Sequence, residues 1–365
     1  GKEYVKILQQ IIKQNQLTLK AEQYRGLHDH LANVAEKEGL RVGKTVILPS
    51  TFQGSKRNMN ERYQDAMSLV GQFDKPDFFI TMTCNPYWQE IKENLLEGQK
   101  PSDRPDLISR VFNLKLKSCM DDILKGEVFG KTVAHCYAIE FQKRGLPHAH
   151  ILIILEKDHK LNAEDYDKIV CAELPDEILE PKLFKIVTGC MIHGPCGKEK
   201  EDAMCMENGK CSKGYPKNFN PVTKKDTNGY PEYRRRQAKS CIVNRNTVTN
   251  RNVIPYNKFL AKKYNCHINV EICMSFNSIK YLFKYVYKGY DCIKIAMQNI
   301  GEKLNYDEVK DFIDARYVCA PEAMWRLLEN RMHGISHHII RLAVHLEREQ
   351  MIYFKAGNER EALEK

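Results

Sequence analysis

No part of the 365 residues is apolar for long enough to cross a bilayer; the longest such run, Ile151-Leu152-Ile153-Ile154-Leu155, has the length of one strand. No stretch shows the succession of charged, apolar and small residues that marks a secretory signal. A membrane partner is therefore not expected. Acidic residues number 47 against 57 Lys and Arg, which leaves a formal net charge of +10. This imbalance favours a polyanionic partner over an acidic small molecule. Disulfides are not expected, because 13 cysteines is an odd number and a chain of this size needs no staples. Free thiols or metal thiolates in a reducing compartment fit better. There is also no clean linker, so the length allows either two domains or one large domain with insertions.

What is present centres on Glu140 to His150, Glu-Phe-Gln-Lys-Arg-Gly-Leu-Pro-His-Ala-His, which runs directly into the apolar pentapeptide. Val133 to Gln142 alternates around Tyr137, Ile139 and Phe141, and Lys143 to Pro147 supplies turn residues, so the segment predicts a β-hairpin. Side chains alternate faces along a strand, which puts His148 and His150 on the same side. If Gln142 stands opposite His148, Glu140 stands opposite His150. Two imidazoles and one or two oxygen ligands would then converge, a donor set suited to Mg²⁺ or Mn²⁺ with positions open for substrate oxygens. Gln142 and Glu140 both remain candidates for the third ligand.

Upstream, residues 2 to 38 carry helical periodicity. His28-Asp29-His30 repeats the His-x-His spacing there, but on a helix the two rings diverge. Thr51 to Asn60 reads as a polar loop in which Lys56 and Arg57 suit phosphate contacts, followed by a helix from Asn60 to Val70. Phe78 to Cys84 reads as a buried strand closed by Asn85-Pro86, and Leu107 to Leu124 as a long helix.

Downstream, Cys190, His193, Cys196, Cys205 and Cys211 are crowded together among glycines and prolines. His-x-x-Cys followed by Cys-x5-Cys on turn-rich backbone is the requirement of a closed tetrahedral structural zinc site. His193, Cys196, Cys205 and Cys211 are the expected ligands, with Cys190 spare. From Lys210 to Lys263, cations and rings interleave. Lys213, Lys217, Arg234, Arg235, Arg236 and Lys239 beside Tyr233 are the ingredients of a surface that neutralises phosphates and stacks on unpaired bases. Cys266 to Cys273 reads as another strand. The following helix, which ends at Gly289, puts Tyr281 and Tyr285 on one face. Near the end, a helix is expected around Pro321 to Leu328 and a strand around Ile339 to Leu346. His333, His337, His338 and His345 are taken as surface or packing residues.

The order of these features resembles that of Rep-type nucleases of the HUH superfamily, and most closely of Helitron transposases. The residues that carry the resemblance are Leu48-Pro49-Ser50, Tyr63-Gln64-Asp65-Ala66, Thr83-Cys84-Asn85-Pro86, Glu140 to His150, His193-Gly194-Pro195-Cys196, Lys280-Tyr281-Leu282-Phe283-Lys284-Tyr285 and Asp314-Ala315-Arg316-Tyr317. They extend from about residue 45 to about residue 350. Ala149 as the middle residue of the His pair is a departure that the family tolerates.

The resemblance implies that His148 and His150 are the metal-binding pair and that Tyr281 and Tyr285 are the nucleophiles. It further implies a single-stranded DNA endonuclease and strand transferase of a rolling-circle transposon, forming a 5′-phosphotyrosine and a free 3′-OH. A viral or plasmid replication initiator would use the same chemistry, and a zinc-stabilised single-strand-binding module without nuclease activity would share the basic surface.

The expected fold is α+β. A central antiparallel sheet of residues 77–84, 132–142, 147–155 and 266–274 has helices on one side, and the tyrosine helix lies across the metal-bearing face. Residues 1–110 would form an N-terminal DNA-binding region and 111–300 the HUH core, with a zinc and basic insertion at 190–265. Residues 301–365 would lead toward a helicase; no Gly-rich phosphate loop with Lys follows residue 350. The implied partners are the single-stranded transposon end and the helicase domain of a full-length protein. The implied location is the nucleus or another DNA-associated intracellular site.

Overall fold

The computed structural model describes residues 50, 52, 55–141, 145–162, 164–197, 200–227, 229–238, 240–243, 245–275 and 318–340. Ten elements organise the site. They are helix α1 (Lys56–Phe73), strand β1 (Phe78–Thr83), helix α2 (Pro105–Leu124), strands β2 (Thr132–Phe141) and β3 (Pro147–Leu155), helices α3 (Pro181–Cys190) and α4 (Lys258–Tyr264), strand β4 (Ile268–Ile272), helix α5 (Ala320–Leu327) and strand β5 (His333–Ile335). The strands form one sheet in the order β4-β1-β3-β2-β5, and every pair in it is antiparallel.

β3 lies at the centre and all nine of its residues are buried. Its alternation sorts them: Ala149, Ile151, Ile153 and Leu155 join Phe78, Ile80 and Met82 in the main core. That layer is closed by α2, whose buried Ile108, Val111, Phe112, Leu116, Cys119 and Ile123 recur at helical spacing. Phe112 and Phe141 both meet the ring of Trp325 on α5. Burying side chains of this size contributes about 1.5–3 kcal/mol each.

The other sheet face carries Phe79, Ala134, Cys136, Leu152, Ile154 and Cys273, and α1 covers it with Ala66, Leu69 and Val70. The helix starts at Ser55, whose hydroxyl accepts from the backbone N–H of Asn58 at 3.0 Å. Helices therefore lie on both faces of the sheet, which corrects the expectation of one side. A sheet whose central strand is apolar in both registers has to be covered twice.

Three other expectations change. Lys56 and Arg57 lie in the first turn of α1, where a loop was expected, because Ser55 caps the helix ahead of the expected start. Residue 110 falls within α2, and β1 pairs with β3 and β4, so the sheet runs through the expected 1–110 boundary. The strand after α5 is His333–Ile335, upstream of the expected Ile339 to Leu346, and it pairs with β2 at the sheet edge. This pairing needs Gly334, because a Cβ there would fall 2.3 Å from the Tyr137 ring. Residues 318–340 are thus part of the same body. Residues 1–49, including the His28-Asp29-His30 repeat, lie outside the described residues, as do the tyrosine helix and residues 341–365. Among the described residues, no helix is long and apolar enough to cross a membrane.

Candidate metal and nucleic-acid sites

β3 continues the face that α1 covers. Beyond Ile154 and Leu152, the next two side chains in that row are His150 and His148, so the imidazoles share a face with the smaller core but lie at its other end. The neighbouring strands fill two rows across the sheet. One row runs Asn269, Thr81, His150, Ala138 and His333, and the other has Thr83, His148 and Glu140, with His267 bonded to Thr83 through its carbonyl. This half of the face is polar, in contrast to the half beneath α1.

Glu140 stands opposite His148, and Ala138 stands opposite His150. The expected pairing of Gln142 with His148 is therefore out by two residues, a shift that preserves the face because the side-chain period is two. β2 ends at Phe141, paired with Pro147, and Gln142 lies outside the described residues. The Glu140 carboxylate reaches Nε2 of His150 at 2.9 Å, with the imidazole 5 % and the carboxylate 30 % exposed. The His150 ring also stacks on Phe79 at 5.8 Å between centroids. Burial, followed by the charge of the neighbouring His150, pulls His148 from its ordinary value down to about 4. A neutral imidazole is the form that binds a metal.

Two residues that sequence reasoning passed over contact the imidazoles directly. Thr81 Oγ1 lies 3.1 Å from Nδ1 of His150, and Thr83 Oγ1 lies 2.8 Å from Nδ1 of His148. The alternation in Phe-Phe-Ile-Thr-Met-Thr already puts both threonines on one face, but identifying the contact also requires knowing that β1 pairs with β3.

The second candidate site lies beyond α3. Ligand atoms of His193, Cys196, Cys205 and Cys211 all fall within 4.8 Å of one another, a cluster able to bind a metal such as zinc, and among the described residues it is the one such group. Local turns build it. Asn208 and Gly209 both have positive φ, at 51° and 75°, as a tight hairpin requires. The hairpin pairs Met206–Glu207 with Lys210–Cys211 and brings Cys205 beside Cys211. His193 Nε2 lies 3.3 Å from Cys211 Sγ, and its ring stacks on Tyr215 at 4.2 Å. Cys190 ends α3 and packs against the main core, apart from this cluster. Burial and the neighbouring thiols push Cys196 up to about 12. Burial also acts to raise Cys211, but the backbone N–H groups of Tyr215 and Lys213, with the other two sulfurs, hold it below the usual thiol range. A divalent cation among the three would favour the thiolate at each.

The expected DNA-binding residues separate by burial. Arg235 is 2 % exposed, and its Nη1 donates to the carbonyls of Ala172, Asn250 and Val253, so it ties the insertion to the core and is removed from the DNA surface. Tyr233 is buried too, with its hydroxyl accepting from the Ile272 N–H at 2.8 Å, and has no face for a base. These are corrections: a charge or ring in the sequence does not reveal which partner will claim it. Arg234 and Arg236 both pair with Glu173, Arg236 at 2.6 Å, although Arg236 stays largely exposed. Lys217 donates to the Lys213 carbonyl and sits over the Tyr215 ring, while the Lys213 side chain is exposed. Arg251 lies 5.6 Å over the exposed ring of Phe219, an aromatic and cation pair on the same insertion. Arg57 is half-buried in α1, and Lys239 lies outside the described residues.

Residues 6–153 match the family model of the Helitron helicase-like domain at N-terminus. The match covers under half of the chain and ends within β3, just past His150. The matched segment is thus similar to the N-terminal domain of Helitron proteins. No curated protein matches the chain.

Proposed function

We propose that this chain is a single-stranded DNA endonuclease and strand transferase of a rolling-circle transposon, built on a HUH-type sheet. The reading is carried by the placement of Glu140, His148 and His150 on one end of a sheet face, with the Glu140 carboxylate on His150, within the segment that matches the Helitron domain. These three residues would hold Mg²⁺ or Mn²⁺, for which a set of imidazoles and one carboxylate is suited. Glu140 is favoured over Gln142 as the third ligand because its carboxylate already touches His150. When bound, the ion would supply positive charge to polarise the scissile phosphate and to offset the charge that builds up in the transition state.

Tyr281 and Tyr285 supply the nucleophiles. A phenolic oxygen forms a bond to phosphorus, the bond from phosphorus to O3′ breaks, and the departing oxygen takes up a proton to balance the one lost by the phenol. The products are a 5′-phosphotyrosine and a free 3′-OH. No water is consumed, so the strand remains activated for rejoining. A phenol ordinarily titrates near 10 and is a weak nucleophile at neutral pH, so cleavage depends on the Glu140, His148 and His150 patch. Two tyrosines allow two successive transfers.

His193, Cys196, Cys205 and Cys211 would hold a structural Zn²⁺ in a closed tetrahedral set. Lys213 and the Arg251 and Phe219 pair on that insertion would contact the single-stranded transposon end, beside a helicase domain of the full-length protein, in the nucleus. The test is His148→Ala with labelled single-stranded DNA and Mn²⁺: cleavage is lost while DNA binding stays largely intact. Loss of both together would make His148 a folding residue. DNA binding without cleavage by the parent protein would leave a binding module.

A further inference from the structure

Thr81 and Thr83 occupy positions where strand architecture would accept valine equally well, since both are β-branched and the next residue in their row, Phe79, is apolar. Instead each places a hydroxyl on the inner nitrogen of an imidazole across the ladder, at 3.1 Å for His150 and 2.8 Å for His148. We infer that Thr83 is a positioning residue that keeps Nδ1 of His148 as the protonated nitrogen and presents its Nε2 to a divalent cation, whereas at His150 the Glu140 carboxylate takes the Nε2 hydrogen and Thr81 donates to Nδ1. The inference rests on the reading of His148 and His150 as metal ligands.

An imidazole binds a cation through the nitrogen that carries no hydrogen; the other nitrogen then carries it and needs an acceptor. Such partners fix both tautomer and ring orientation, and carboxylates or carbonyls commonly fill the role. A threonine hydroxyl on the adjacent strand does so without adding charge, and its β-branch restricts where the oxygen points.

Thr83 also has a second partner, Nδ1 of the half-buried His267 at 3.3 Å. If Thr83 accepts from His148, its own proton points to His267, and Nε2 of His267 must then carry a hydrogen. The chain His148, Thr83, His267 thus has one direction, and it leaves one ring as a ligand and the other as a donor.

The experiment compares Thr83→Val with Thr83→Ser in the full zinc-loaded chain, measuring Mn²⁺ affinity by calorimetry and the unfolding midpoint without Mn²⁺. Valine is expected to weaken Mn²⁺ binding by about 10–100-fold, the range for such supporting partners, while serine stays near the parent. Strand stability cannot produce this order, because valine is the better strand former. The same loss is expected for Thr83→Ala, which keeps the inference testable if Thr83→Val does not fold. Parent-like affinity in Thr83→Val and Thr83→Ala, or an equal loss with serine, would overturn it. His148→Ala separates the two levels. If it loses the Mn²⁺ site while Thr83→Val keeps it, only the threonine inference fails; if it binds Mn²⁺ as the parent does, the metal reading fails and takes the inference with it.

Discussion

The carboxylate of Glu140 lies 2.9 Å from Nε2 of His150, although the ladder sets Glu140 opposite His148. The side chain leans along the strand to reach His150, and the third ligand position can be tested directly. Glu140→Ala should weaken Mn²⁺ binding by at least about tenfold, the lower end for losing even a supporting contact. Gln142→Ala should leave it near the parent value. Calorimetric titration of the two variants checks this, and a larger loss in the Gln142 variant would assign the ligand there.

The hairpin and the four-residue His and Cys cluster were legible in the sequence because both are local: alternation, turn residues and short spacings sit within a few tens of residues. The register was not, since the turn after Phe141 decides it and Lys143 to Pro147 suits more than one turn length. Arg235 and Tyr233 were misread for another reason. Their partners, the Ala172 carbonyl and the Ile272 N–H, are distant in sequence, and nothing about a basic run tells which of its members will turn inward. Thr81 and Thr83 were in view as strand residues, but their meaning required the pairing partner.

The inward turn of Arg235 has a measurable consequence. Arg235→Ala takes a donor from three carbonyls, of which that of Asn250 keeps the Val253 N–H, so unfolding free energy should fall by about 2 kcal/mol or more, at roughly 1–3 kcal/mol for each unsatisfied group. Lys213→Ala should leave stability unchanged and instead lower the slope of DNA affinity against salt by about one unit, as loss of one phosphate contact does. Urea unfolding and binding titrations at several salt concentrations distinguish the two residues. The reverse pattern would return Arg235 to the DNA surface.

Acid should destabilise the protein through imidazoles shielded from water. Burial holds His148 and His333 at about 4, against 6.5 for an ordinary histidine. The unfolded chain therefore binds more protons than the folded one between these values. The stabilisation is complete above 6.5 and is lost as pH falls from 6.5 toward 4, each ring costing up to about 1.4 kcal/mol for every pH unit crossed. Unfolding midpoints measured across this window without divalent ions should drop steadily, and His333→Gln should flatten the slope. A midpoint independent of pH there would contradict the shielding of the buried His148 and the half-buried His333 from water.

Removal of metal from the Cys cluster should act at a distance from the sheet. Cys205→Ser with Cys211→Ser is expected to abolish bound zinc, read by elemental analysis, and to expose the backbone around residues 193–215 to hydrogen exchange. β1 and β3 keep their protection, since neither contributes to the cluster. Collapse of protection throughout the sheet would make the cluster part of the core.

The central claim is tested most directly by the covalent product. The protein is incubated with end-labelled single-stranded DNA carrying a transposon end and Mn²⁺, then denatured and resolved by size. The account predicts a labelled adduct that survives denaturation, is absent in His148→Ala, and disappears when Tyr281 and Tyr285 are both changed to Phe. An adduct that persists in the double Phe variant, or cleavage of the DNA with no adduct at any time, would contradict it.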